Sequence, residues 1–167
     1  MTFRQTKYSL RQYKLYSVLA GSLSNRPNYK IKKPYYLTDN HKEFYEALLK
    51  PQTRIGFVDG PAGSAKSYLA VLAGLELLEK GGIDNILYIR SVIESASKSI
   101  GALPGELDEK FSPYVAPMME KVCEIIGESS AAMLKSRDVL AAIPVNFVRG
   151  LTFTNSFVIR ITSPKTL

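Results

Sequence analysis

Eight consecutive residues, Gly60-Pro61-Ala62-Gly63-Ser64-Ala65-Lys66-Ser67, have the types and spacing of a loop that holds phosphate. The general pattern is Gly, four residues, Gly, Lys, then Ser or Thr, set between a strand and a helix. Here Gly60, Lys66 and Ser67 take the defining positions, and Ala65 stands where the second Gly is usual. Such a loop wraps a phosphate with its own N–H groups. Gly60 and Gly63 permit the backbone angles and close approach that larger side chains deny, while Pro61, Ala62 and Ser64 complete the wrap. The helix that follows adds unpaired N–H groups and its positive dipole end. Lys66, the candidate catalytic residue, would reach β- and γ-phosphate oxygens as a point charge, and Ser67 would offer its hydroxyl to Mg²⁺. Ala65 adds one methyl, tolerable in a helical conformation and in conflict with a positive φ. The competing reading is a Gly-rich helix entry followed by a chance Lys-Ser; a matching strand, loop and helix favour the phosphate site.

The elements that must position this loop are legible around it. Arg54-Ile55-Gly56-Phe57-Val58-Asp59 is short, apolar and bounded by turn formers, which predicts a buried parallel strand. Ser67 to Lys80 predicts a helix with Leu69, Val71, Leu72, Leu75 and Leu78 facing inward, stopped by Gly81-Gly82. Upstream, Thr38 or Asp39 can cap a helix whose apolar face is Phe44, Leu48 and Leu49, ended by Pro51. A second strand fits 85–90, a polar stretch at 95–105 reads as a loop, and Met118, Val122 and Ile125 recur at helical spacing within 115–126. Strand-like runs return at 143–148 and 155–159. This alternation is that of an α/β sheet with right-handed crossovers.

The chain of 167 residues suits one domain, and 46% hydrophobic with 22% charged residues is a globular composition. No run of 18 apolar residues predicts a membrane span, and no secretion signal is legible, so the expected compartment is the cytoplasm. A single cysteine, Cys123, reads as a packed thiol; with one histidine, His41, it is too little for a zinc site. The net charge is +7, yet residues 1–38 hold eight cations and no Asp or Glu, so the remainder is nearly neutral. Tyr8, Tyr13, Tyr16, Tyr29, Tyr35 and Tyr36 are interleaved with them. Lys and Arg can neutralise phosphates while tyrosines stack on bases, which points to RNA or DNA; a solvated charged leader is the alternative. The expected organisation is a basic Tyr-rich leader over 1–34, a nucleotide-binding domain over 35–159 and an aberrant tail over 160–167.

Beyond the loop, the chain resembles the PhoH-like family of P-loop ATPases, especially phage-type members, over residues 34–159. The resemblance is carried by Gly60-Pro61-Ala62-Gly63 with Lys66-Ser67-Tyr68-Leu69-Ala70-Val71, by Arg90-Ser91-Val92-Ile93-Glu94, by Leu103-Pro104-Gly105-Glu106-Leu107 with Glu109-Lys110 and Pro113-Tyr114, and by Phe147-Val148-Arg149-Gly150-Leu151-Thr152. It implies a RecA-like parallel sheet with flanking helices, ATP and Mg²⁺ as ligands, nucleic acid as target and assembly into a homo-oligomer. It places His41 where the family has a Gln beside adenine; a Gln amide donates and accepts, and neutral imidazole copies that only in part. Arg90 would contact phosphates or pair with Glu94, and Arg149 would assist at the γ-phosphate; surface ion pairs are the alternative. The family's acidic strand carries carboxylates that hold Mg²⁺ and orient water. Here the corresponding run is Phe157-Val158-Ile159-Arg160-Ile161-Thr162, with a cation in place of the acids. A truncation or frame shift before that strand is the expectation, leaving the sheet incomplete and ATP bound better than hydrolysed. A phage-encoded chain would work in the host cytoplasm. Two readings stand: an ATPase-family module acting on nucleic acid, and a nucleic-acid-binding protein whose phosphate loop is a relic. A small-molecule kinase is disfavoured by the absence of an Arg-rich lid.

Overall fold

The computed structural model describes residues 28–34, 37–90, 107–145 and 148–162. Three parallel strands form the sheet: β1 (Asn85–Arg90), β2 (Leu140–Pro144) and β3 (Ser156–Ile161), in the order β2-β1-β3. Ile86 stands opposite Leu140 on one side, and Leu87 opposite Val158 on the other. Four helices flank it: α1 (Asp39–Leu49), α2 (Lys66–Glu79), α3 (Leu107–Ile126) and α4 (Glu128–Ser136). The α/β parallel architecture expected from the sequence is therefore present.

Helix α2 is apolar on nearly every side and buried from Leu69 to Leu78 apart from Ala70 and Leu77, as expected of a helix enclosed by the core. Each of its buried leucines stabilises the fold by about 1.5–3 kcal/mol relative to exposure. It lies close to the sheet at Gly74, where an added Cβ would sit 3.0 Å from Phe157 Cδ1 and 3.2 Å from Ile86 Cδ1. It ends as the Gly81-Gly82 pair predicts. Gly81 takes φ 72°, and the Gly82 and Gly81 N–H groups return to the Leu77 and Leu78 carbonyls at 2.9 and 3.0 Å. The larger core joins α2, α3 and α4 to one face of the sheet, through Leu72, Leu75, Met118, Val122, Ile125 and Leu134. A smaller core of Leu87, Ile89 and Ile143 lies on the other face, covered by Val148, Leu151 and Phe153. Cys123 is half-buried and packs against the larger core, as a structural thiol would.

Two sequence expectations are corrected, and one element is added. Residues 54–59 form no strand, and Ile55, Phe57 and Val58 are exposed. An apolar run becomes a strand only where a neighbour supplies the hydrogen-bond ladder, and among the described residues none does so here. The strand expected at 143–148 lies instead at Leu140–Pro144, because Pro144 removes a donor and the alanines before it mask the strand signal. Helix α4 adds an element that periodicity does not announce: Gly127, at φ 82°, breaks the helical run after α3, and Ala131 and Leu134 then bury the inner face of a new helix. The stretch 95–105 lies outside the described residues.

Residues 28–34 of the expected leader run along the body. Tyr29 is buried in the larger core and donates its hydroxyl to the Leu75 carbonyl at 2.7 Å, while Lys32 N–H reaches the Ile125 carbonyl at 2.8 Å. Its ring is therefore not free to stack on a base, and burial pushes its phenol pKa upward, with the charge of Glu79 adding to the shift. Tyr8, Tyr13, Tyr16, Tyr35 and Tyr36 lie outside the described residues.

Candidate functional site

The loop from Gly60 to Ser67 curls at the N-terminus of α2. Asp59 starts it by accepting the Gly60 N–H on its carboxylate at 2.8 Å. Gly60 and Gly63 then take φ of 155° and 80°, values that side chains rarely adopt. Ser64 closes the turn, its Oγ donating to the Pro61 carbonyl at 2.8 Å. Ala65 follows at φ 54°, ψ 11°, in left-handed geometry, as the residue that precedes the helix. The second-Gly position of the motif therefore does require positive φ here, and alanine meets it at a steric cost of about 1–2 kcal/mol. A glycine preference at this position thus has a backbone cause.

Lys66 begins α2 and turns its ammonium back over the loop. Its Nζ donates to the Gly60 carbonyl at 2.7 Å, the Pro61 carbonyl at 2.6 Å and Ser64 Oγ at 3.0 Å. Among the described residues, the amides of Ala62, Gly63, Ala65, Lys66 and Ser67 have no main-chain acceptor. Five N–H groups and one ammonium are thus concentrated at one helix end, the electrostatic requirement for an anion with several oxygens. The Ser67 hydroxyl lies one residue into the helix.

The turn at 80–84 between α2 and β1 is short, so the helix runs back antiparallel to the strand. That places Lys66 at the end of the sheet where β1 finishes in Arg90, the carboxyl end at which open α/β sheets receive ligands. Arg90 is half-buried and Arg149 is exposed in a turn with Gly150 at φ 81°. Among the described residues neither guanidinium is ion-paired, and neither is bonded to the loop. Glu94 lies outside the described residues.

His41 occupies a capping box. Thr38 Oγ1 accepts the His41 N–H at 3.3 Å, and His41 Nδ1 accepts the Thr38 N–H at 3.4 Å. Imidazole here does the work usually given to Glu or Gln in that motif. Its structural role is not legible in the sequence, because the pattern to look for carries a carboxylate or carboxamide three residues after the cap.

A second polar group, farther along α2, has only a faint signature in the sequence. Glu76, within the apolar stretch of α2, receives the Tyr45 hydroxyl and the Lys80 ammonium. The signal is a lone carboxylate among leucines, which must be paired if buried.

Among the described residues, no group of three His, Cys, Asp or Glu side chains could hold a metal, and no helix is long and apolar enough to cross a membrane.

The family model described as PhoH-like protein matches residues 35–160. The chain is similar to the PhoH-like protein of Bacillus subtilis strain 168, at 33% identity over 122 residues, which is 73% of this chain and 37% of the relative. It is 30% identical to the PhoH-like protein of Synechocystis over 73% of this chain and 36% of the relative. It is 30% identical to protein PhoH of Escherichia coli K12 over 62% of this chain and 29% of that protein. The chain thus spans about a third of the length of the curated relatives it matches. With a match over most of its length, a parallel α/β sheet and a Gly-rich loop with Lys-Ser opening a buried helix, the chain belongs to the PhoH-like family.

Proposed function

We propose that this chain is the nucleotide-binding part of a PhoH-like P-loop ATPase, with the triphosphate of ATP held by residues 60–67. One observation carries this reading: five amides without main-chain acceptors among the described residues lie in the loop and first turn of α2, over which the Lys66 ammonium folds back. That ammonium donates to two loop carbonyls and Ser64 Oγ. A phosphate would replace these neutral acceptors with charged ones, which form the stronger bonds.

The donor set fits Mg²⁺ only as a companion of phosphate. Ser67 offers a single hydroxyl, and no described carboxylate cluster provides the rest. An ion that prefers phosphate oxygens and water to an all-protein cage suits such a site. When bound, Mg²⁺ would neutralise charge across the β- and γ-oxygens. In this reading Lys66 binds the triphosphate, Ser67 helps to hold the metal, and His41, Arg90 and Arg149 are the further candidates for contacts to base and phosphates. Asp59 is committed to Gly60, and β3 carries Arg160 where a water-orienting carboxylate would serve. Binding therefore exceeds turnover. Titration of ATP·Mg²⁺ into wild type and Lys66→Ala, with phosphate release measured on the same samples, tests this. Saturable binding that disappears in the variant supports it; equal affinity in both overturns it.

A second reading, a nucleic-acid-binding protein with a non-hydrolysing loop, is favoured by the eight cations unopposed by acids in residues 1–38, of which Lys30, Lys32 and Lys33 are exposed.

A further inference from the structure

Residues 28–34 precede the stretch matched by the family model, yet they are seated on the domain at several points. Their side chains sort by environment. Tyr29 is buried in the larger core and Ile31 packs against it, while Lys30, Lys32 and Lys33 are exposed. Two hydrogen bonds fix the segment. The Tyr29 hydroxyl donates to the Leu75 carbonyl of α2 at 2.7 Å, and the Lys32 N–H donates to the Ile125 carbonyl of α3 at 2.8 Å. Ile125 lies in the last turn of α3, where carbonyls lack donors within their own helix. The segment therefore caps one helix and anchors the other. Lys33 adds a third tie, since its charge helps to hold the Glu76 carboxyl of α2 below its usual range.

Leu75 stands well down α2 from the loop, but the helix connects the two. It is nine residues after Lys66, a rise of about 13 Å. A helix moves as a rod, so a tilt of about 4° at Leu75 carries Lys66 by about 1 Å. Shifts of that size matter where several donors must meet the same oxygens. The rod is joined to the loop at its near end, where the Leu69 N–H donates to the Ala65 carbonyl at 2.9 Å.

We infer that residues 28–34 clamp α2 to the end of α3, and that Tyr29 is thereby a positioning residue for the phosphate loop. The inference rests on the reading of residues 60–67 as the ATP site. Tyr29 bonds to Leu75 and acts on the loop through α2. Its ring fills the core and its hydroxyl marks one level of the helix, so α2 cannot slide or tilt against α3 without breaking the bond.

Two measurements on wild type, Tyr29→Phe, Tyr29→Ala and Leu134→Ala test this: titration of ATP·Mg²⁺, and amide proton–nitrogen NMR spectra of the nucleotide-free chain. Leu134 is buried in the same core on α4 and takes part in neither bond, so its truncation removes stability without removing the clamp. Affinities are read where circular dichroism shows each variant fully folded. Tyr29→Ala should weaken ATP binding by about tenfold, and Tyr29→Phe, which keeps the ring and loses one hydrogen bond, by about threefold. The loop amides from Ala62 to Ser67 should shift in both, while Leu134→Ala leaves affinity and loop resonances at wild-type values. Should the alanine variant not fold, Tyr29→Phe carries the test. Loop resonances that stay in place in Tyr29→Phe, or equal effects from Leu134→Ala, would overturn the inference. A wild type that does not bind ATP would overturn the phosphate-site reading instead, and the loop resonances would still decide on the clamp.

Discussion

Tyr45 on α1 donates its hydroxyl to Glu76 Oε2 on α2, and Lys80 Nζ lies 2.6 Å from the other carboxylate oxygen. Glu76 is nearly buried, and its two oxygens are thereby both engaged. Burial pushes its pKa up, but the bonds from Lys80 and Tyr45, with the charges of Lys80 and Lys33, outweigh burial and hold it below the usual carboxylate value. The pair joins the helix carrying His41 to the helix that Lys66 begins.

Glu76→Gln should therefore destabilise the protein at neutral pH by about 1–3 kcal/mol, the worth of hydrogen bonds to a charged, buried acceptor. A carboxyl whose folded-state pKa is depressed stabilises the fold above its ordinary value of 4.5, and that contribution is lost as pH falls through the lower folded value. Urea denaturation from about pH 7 down to about pH 3 should show wild type and variant converging at the acid end. A constant gap would contradict the assignment.

Ala65→Gly removes a left-handed strain of about 1–2 kcal/mol but adds glycine's unfolded-state entropy, about 0.5–1 kcal/mol. A small net gain in stability is expected, together with tighter ATP binding, because the bound loop geometry becomes easier to hold. Ala65→Val should lose both, since a branched side chain tolerates positive φ least. Thermal melts and ATP titrations on the three proteins check the order Gly, Ala, Val.

Gly74→Val should cost about 1–3 kcal/mol through overpacking, because even its Cβ would press on Phe157 and Ile86. Gly74→Ala should fall well short of that loss: helix propensity returns about 1 kcal/mol against the tight approach. Denaturant midpoints separate the two.

Removing residues 1–27 takes away five of the leader's cations yet leaves Tyr29 in the core. RNA and DNA affinity should fall. The slope of log affinity against log salt should flatten by roughly 0.7–0.9 for each phosphate that is no longer neutralised. Unchanged affinity and slope would make the leader a solvated extension only.

The Gly-rich turn at 60–67 and the inner face of α2 are legible in the sequence because both are local. Gly60, Gly63, Lys66 and Ser67 are fixed by motif spacing, and Leu69, Leu72 and Leu75 by helical period. Residues 54–59 mislead because burial of a strand depends on neighbours elsewhere in the chain, and Phe57 carries the same sequence signal whether or not they are present. The left-handed Ala65 is legible only as one of two alternatives, since a residue's type permits a backbone angle without setting it. Tyr45 and Glu76 lie 31 residues apart, and no periodicity links two helices at that distance. The same holds for Tyr29, which the basic run around it assigns to solvent although its ring completes the core.

The capping box at the start of α1 also fixes a proton. Because His41 Nδ1 accepts from Thr38, the neutral ring carries its hydrogen on Nε2, pointing away from the cap. A nucleobase edge arriving there would find one donor and no acceptor. It could read a lone pair on the base but could not take a hydrogen from an exocyclic amine, so discrimination between purines at this end of the fold would have to come from other groups.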